Sequence, residues 1–248
     1  MEKAFNDYLA KHNYERFDLK ALLFDMDGVL YDSMKWHAKS WHETMTEYGL
    51  NSTYDEFYQY EGMVGFNTIN HIIKRERGRE ATEEEKKEMY KRKSDLFFKY
   101  NDNSLIPFAY DFVKMVHDEG MECVVVTGSG QASLLEKIES NFPGLFKRDE
   151  MVTAWDVKYG KPHPEPYLMG LKKAGDLQPN QAIVVENAPR GIEAAVAAGI
   201  FTIAINTGPL TEQSLRDAGA NIVLPSMEAL YNNWESYYKE LTSKRVDK

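Results

Sequence analysis

The stretch Ala21-Leu22-Leu23-Phe24-Asp25-Met26-Asp27-Gly28-Val29-Leu30 constrains this chain most. Four apolar residues run without polar alternation, as in a short strand buried on both faces. Asp-x-Asp then stands where that strand should end. Residues i and i+2 of a strand point the same way, so Asp25 and Asp27 are expected to face one crevice. In an open α/β sheet that crevice lies outside the carboxyl ends of the strands, where ligands bind. Gly28 lacks the Cβ that restricts backbone angles and lets the chain turn sharply there.

Two carboxylates so placed suit phosphoryl transfer. They can hold Mg²⁺, which prefers hard oxygen ligands. One can become an aspartyl phosphate while the other handles protons. The bland alternative is a loop with two solvated acids, or a calcium loop. An EF-hand loop would need further oxygen ligands and a Glu at its last position, where this chain has Trp36.

Along the chain, residues 1–17 place Phe5 and Leu9, with Tyr8 and Tyr14, near helical spacing among charges, which predicts a short amphipathic helix on the core. Leu19–Phe24 is the first strand. Residues 34–104 are rich in charge and aromatics, with helical periodicity and no convincing strand. Helices are expected over Met34–Tyr48, closed by Gly49, then Thr53–Tyr60, Asn67–Arg77, and from the capping box Thr82-Glu83-Glu84-Glu85 to about Tyr100. This segment reads as a helical domain inserted into an α/β core formed by residues 18–33 and 105–248. From Leu105 onward strands and helices alternate. Strands are expected at Met121–Val126, Met151–Ala154, Ala182–Val185, Ile200–Ile205 and Asn221–Leu224, with helices between them and a closing helix from Met227. Repeated βα units imply a parallel sheet with helices on both faces.

Composition narrows the function classes. The net charge of −9 argues against non-specific binding to nucleic acid or anionic membrane. The single cysteine, Cys123, sits in an apolar run, cannot form an intramolecular disulfide, and fits a reducing cytoplasm. No run approaches the length of a membrane span, and residues 1–20 lack the apolar region of a signal peptide. The expectation is a cytoplasmic protein, monomeric or weakly dimeric, with a small phosphorylated metabolite as partner.

Three more strand ends carry polar residues. Thr127-Gly128-Ser129 follows Val124–Val126, and a hydroxyl with backbone N–H groups leading into a helix can cradle phosphate; a plain Gly/Ser turn is the alternative. Gly160-Lys161-Pro162 offers a lysine that can neutralise phosphate oxygens and a nucleophilic carboxylate; a lone surface lysine is the alternative. Glu186-Asn187 follows Ile183–Val185 and can complete a Mg²⁺ site; a helix start, with Asn187 capping before Pro189, is the alternative.

These motifs together resemble the haloacid dehalogenase superfamily, and within it the branch of β-phosphoglucomutase and its phosphatase relatives. The resemblance runs from about Phe17 to the C-terminus. It is carried by Phe24-Asp25-Met26-Asp27-Gly28-Val29-Leu30-Tyr31-Asp32-Ser33, Val126-Thr127-Gly128-Ser129, Gly160-Lys161-Pro162-His163-Pro164-Glu165-Pro166-Tyr167 and Val185-Glu186-Asn187-Ala188-Pro189-Arg190-Gly191-Ile192. It implies a Rossmann-like core with a helical cap that closes over the site. It implies Asp25 as nucleophile and Asp27 as the acid that protonates the leaving group and then activates water or hydroxyl. Thr127 would bind the transferring phosphate with backbone groups near Gly28, Gly128 and Ser129, and Lys161 would neutralise charge. Mg²⁺ would be held by Asp25, the backbone carbonyl of Asp27 and the Glu186/Asn187 pair. His37 resembles a mutase histidine that senses substrate or gates Asp27.

Two departures bear on function. Asn187 stands where the family usually has an acid, so Glu186 is expected to supply the missing charge. A mutase also grips the second phosphate of a bisphosphate with a basic cap residue, whereas Glu61-Gly62-Met63-Val64-Gly65-Phe66-Asn67 has no Lys or Arg. Lys74, Arg75 and Lys93 are expected on solvated helix faces, and Trp36, Trp41 and Phe66 in the cap core. The leading expectation is therefore a Mg²⁺-dependent phosphatase of a sugar or polyol phosphate. β-Phosphoglucomutase is the alternative, and a non-catalytic binding module a third. Dehalogenase chemistry is disfavoured by Asp27.

Overall fold

The computed structural model describes residues 2–129 and 132–243, with the side chains of 132–135, 242 and 243 left aside. Five strands form one parallel sheet: β1 (Ala21–Phe24), β2 (Glu122–Val125), β3 (Ala182–Glu186), β4 (Phe201–Ile205) and β5 (Ile222–Leu224), in the order β2-β1-β3-β4-β5. β1 therefore lies between β2 and β3, with Phe24 level with Val125 on one side and Val185 on the other. The chain leaves β1 for one neighbour and returns to the other, which opens a crevice at their carboxyl ends.

The strands are apolar throughout because helices cover both faces. Leu22, Phe24, Cys123, Val125, Ile183, Val185, Ile203 and Ile205 pack into one core layer with α1 (Glu2–His12), α6 (Ala109–Asp118), α7 (Ala132–Asn141) and α11 (Met227–Ser243). Ala21, Leu23, Val124, Val126 and Val184 alternate into the opposite layer with α8 (Glu165–Lys173) and α9 (Pro189–Ala197). Helix α10 (Glu212–Asp217) buries Leu215 beside Ala204.

Between β1 and α6 the chain forms four helices: α2 (Met34–Glu47), α3 (Tyr54–Gln59), α4 (Gly65–Arg77) and α5 (Glu83–Tyr100). They have their own apolar centre, in which Ala38, Trp41, Met45, Phe57, Ile69, Ile72, Ile73 and Met89 are buried together. Both α3 and α5 start in complete capping boxes, Thr53 with Glu56 and Thr82 with Glu85.

The expected strand Met151–Ala154 is not one. Val152 makes a single parallel bridge with Val126, and the next N–H on that side, that of Ala154, donates to Ser129 O at 3.3 Å, beyond the end of β2, so no second bridge forms. Asp25 and Asp27 also do not sit within one strand. β1 ends at Phe24, and a tight turn follows in which the Tyr31 N–H donates to Met26 O and the Gly28 N–H to Tyr31 O. That turn needs Gly28, whose φ is +84°.

Helix α1 buries Phe5, Tyr8 and Leu9 against Phe17 and Phe201, and the Tyr8 hydroxyl donates to Gly199 O at 2.8 Å. Tyr8→Ala is expected to cost about 3–5 kcal/mol in urea unfolding, as for other buried aromatic truncations. Burial pushes the Cys123 thiol up to about 12. The native protein at pH 8 should therefore resist thiol reagents and react only on unfolding.

Candidate active site

The carboxyl ends of β1, β2 and β3 bring Asp25, Asp27, Thr127, Lys161, Glu186 and Asn187 together. Asp25 extends β1, its N–H donating to Val185 O at 3.0 Å. Its carboxylate is buried, and the Lys161 ammonium donates to its Oδ1 at 2.5 Å. The same ammonium donates to Glu186 Oε1 at 2.7 Å and to Val126 O at 3.1 Å. All three N–H bonds of Lys161 are thus committed.

Glu186 is used to the full. Its Oε1 also accepts from the Tyr167 hydroxyl at 2.7 Å, and its Oε2 accepts from the Asn187 and Ala188 N–H groups at 2.9 and 3.1 Å. Asn187 is different. Its Nδ2 donates to Glu61 Oε2 at 2.9 Å, while its Oδ1 is buried with no hydrogen-bond partner. Asn187 does not cap α9, whose N-cap is Ala188. Gly28 leaves the room Asn187 needs, since a Cβ there would lie 2.0 Å from Asn187 Nδ2.

Asp27 is held by the cap. Ser33 is the N-cap residue of α2, yet its hydroxyl makes no cap and donates instead to Asp27 Oδ1 at 2.5 Å. His37 Nε2 lies 3.2 Å from the same oxygen. Lys93 Nζ lies 2.6 Å from His37 Nδ1. An ammonium only donates, so Nδ1 accepts and Nε2 carries the proton that faces Asp27. His37 also stacks on Phe97 at 4.0 Å.

The charges follow from these contacts. Burial, with Glu186 and Asp27 nearby, raises Asp25 to about 7 despite the pull of Lys161. Burial acts the same way on Asp27, but His37, Ser33 and Lys93 outweigh it and hold that carboxyl below the usual range. Burial lowers Lys93 to about 8. Burial among Asp25, Glu186 and Asp27 raises Glu61 well above its ordinary value. Within one site, then, Asp25 is pushed towards the neutral acid and Asp27 towards the carboxylate.

Lys93 corrects the expectation from sequence. It is 6% exposed and lies under the cap, against Trp41 and Phe97, whereas Lys74 and Arg75 do lie outside, paired with Glu80 and Glu56. The signal was present: Met89, Lys93, Leu96 and Phe97 form one buried stripe of α5. Glu61 was noted only as an acid in a loop that needed a base, and its reach to Asn187 was missed. Trp41 sits in the cap core as expected and also lines the site, while Trp36 Nε1 reaches Asp102 and Phe66 packs edge-on to Tyr90.

Thr127 follows β2. Its hydroxyl oxygen accepts from the Ser129 N–H at 3.0 Å, which fixes the turn through Gly128. Asp25, Asp27, His37, Glu61, Lys93 and Thr127 line one cavity of about 90 Å³. A second, more apolar cavity of about 340 Å³ shares Gly65, Tyr90, Thr127 and Gly128 with it and opens towards Phe66, Trp155 and Val157.

Asn187, whose Oδ1 is unpaired, is bonded to Glu61, and Glu61 lines one cavity with Asp25 and Asp27; together they offer hard oxygen donors with excess negative charge. Among the described residues, no trio of His, Cys, Asp and Glu side chains forms a protein cage for an ion. That suits Mg²⁺, which keeps several waters and takes only one or two carboxylates from a protein. The residues fit that ion.

Comparison with known proteins agrees with this geometry. Residues 22–205 match the haloacid dehalogenase-like hydrolase family. Hexitol phosphatase A of Escherichia coli is 27% identical over 85% of this chain and 93% of its own. A phosphorylated carbohydrates phosphatase of Thermotoga maritima is 28% identical over 86% of this chain and 97% of its own. The solved structure of a Bacteroides vulgatus protein, given the provisional name beta-phosphoglucomutase, superposes with a TM-score of 0.93 at 51% identity, covering 97% of this chain and 98% of that one. A five-stranded parallel sheet with strand-end motifs, matched by the family over most of its length, identifies the chain as an enzyme of the haloacid dehalogenase-like hydrolase family.

Proposed function

We propose that the protein is a Mg²⁺-dependent phosphatase of a small phosphorylated metabolite with a compact leaving group. The observation that carries this reading is the roughly 90 Å³ cavity in which Asp25, Asp27 and Thr127 meet the cap. For scale, an apolar cavity of ~150 Å³ holds one benzene. A phosphoryl group with a very small leaving group fills such a space. A longer leaving group would extend past Tyr90 into the outer cavity.

In this account Asp25 attacks phosphorus and forms an Asp25–O–P bond as the bond to the leaving oxygen breaks. Asp27 gives its proton to that oxygen. Water then attacks the phosphoenzyme at phosphorus, Asp27 takes the proton of that water, and phosphate leaves with Asp25 restored. Lys161 neutralises the nucleophile and holds it by one oxygen, leaving the other free. The negative charge of an arriving phosphoryl group raises the proton affinity of Asp27, so the carboxylate of the empty site becomes the acid of the filled one. Ser33 and His37 fix its orientation. Thr127 and the backbone amides around Gly128 and Ser129 face the phosphoryl oxygens. Asp25, the backbone carbonyl of Asp27 and the unpaired oxygen of Asn187 would hold Mg²⁺, which would supply charge neutralisation for the phosphoryl group. Glu186, already accepting four hydrogen bonds, orients Lys161 and the turn to Asn187.

The relatives act on phosphorylated hexitols and carbohydrates by name, so polyol and sugar phosphates are the first class to test. The mutase reading keeps one observation in its favour: Lys93 puts a buried cation on the cap side of the cavity, where a second phosphate would need one. A phosphorus NMR panel separates the readings. It holds glycerol phosphate, a hexitol phosphate, fructose 1-phosphate, pyrophosphate, and β-glucose 1-phosphate primed with glucose 1,6-bisphosphate. Free phosphate should appear, fastest from the compact members. Glucose 6-phosphate formed without free phosphate would establish the mutase instead. Asp25→Asn should lower turnover by a factor on the order of 10³ or more, with unchanged circular dichroism.

A further inference from the structure

Glu61 enters the catalytic cavity from the cap turn between α3 and α4. One of its oxygens accepts from Asn187 Nδ2, and the other, Oε1, is buried with no hydrogen-bond partner. Asn187 itself is only 7% exposed, and its Oδ1 is likewise unpaired. Two unpaired buried oxygens on a hydrogen-bonded pair of side chains are costly, roughly 1–3 kcal/mol for a neutral group and more for a charged one. Asp25 and Asp27 line the same cavity. The nearby cations of the chain are already engaged, Lys161 with three acceptors and Lys93 with His37. What this cluster lacks is a small positive ion.

The cap is pressed onto the core at this point. A Cβ on Gly128 would lie 3.1 Å from the Gly62 carbonyl oxygen. Glu61 is therefore a cap residue held at core-ligand range, and its partner Asn187 follows the end of β3. We propose that Glu61 is a ligand of the same Mg²⁺ that Asp25 and Asn187 hold, so that the ion ties the cap to the core. The proposal rests on the Mg²⁺ reading given above. Its consequence is a linkage: an ion that gains a ligand only when the cap is down favours the closed form by that difference in affinity. The carboxylate of Glu61 also restores the charge that Asn187 does not bring.

The test uses Mn²⁺ as a paramagnetic probe, followed by EPR titration, together with hydrogen exchange of residues 60–66 with and without Mg²⁺. Wild type, Glu61→Gln and Glu61→Ala are compared. Glu61→Gln keeps the shape and also mimics a protonated Glu61, the rival way to satisfy the pair. Both variants should bind Mn²⁺ about tenfold more weakly or worse. Mg²⁺ should protect the amides of 60–66 in the wild type and not in either variant. Wild-type affinity and protection in both variants would overturn the proposal and leave the Mg²⁺ site standing. A wild type that binds no ion would overturn the proposal and the Mg²⁺ reading together.

Discussion

The site depends on one buried ammonium. Lys161 is shared between Asp25 and Glu186, with its third N–H on the Val126 carbonyl. Desolvating two carboxylates and a lysine is expensive, and the geometry repays it only because every donor and most acceptors are matched. Removing one partner of such a group typically costs about 3–5 kcal/mol, since a bare charge is left behind. Lys161 thus links three strand ends: the residue after β1, the end of β2 and the last residue of β3. The sheet order makes this possible, because β1 lies between the other two.

The cap completes what the core leaves open. The core offers Asp25, Thr127, Lys161 and Asn187, and its second acid, Asp27, is oriented from above by Ser33 and His37, with Lys93 behind the histidine. The two acids are pushed apart in proton affinity by burial on one side and by cap cations on the other. In the empty site this order is the reverse of what a nucleophile and a proton donor need; a cation beside Asp25 and a phosphoryl group beside Asp27 would invert it. The orientation of Asp27 thus depends on α2, with α5 behind it.

The sequence made the strand-end residues legible because buried parallel strands are plain apolar runs, and polar residues just past them stand out. Asp25, Asp27, Thr127 and Asn187 stand out in this way, whereas Lys161, expected at a strand end, follows no strand and lies in the loop before α8. Lys93 was not, because a lysine among charged neighbours on a helix looks solvated unless its place in the buried stripe with Met89 and Phe97 is followed. The Glu61–Asn187 contact spans 126 positions between cap and core, and no local pattern encodes it. The bridge at Val152 stops short of a strand because its neighbour has already turned at Gly128, so that the Ala154 N–H meets Ser129 O.

The central claim is that the phosphoryl group passes through Asp25. Rapid acid quench of the enzyme with ³²P-labelled substrate and Mg²⁺ tests it directly. The account predicts a burst of acid-stable, base-labile label on the protein, mapping to the peptide that contains Asp25 and decaying as free phosphate appears. Phosphate release with no label ever trapped on that peptide, under conditions where turnover is fast, would contradict it.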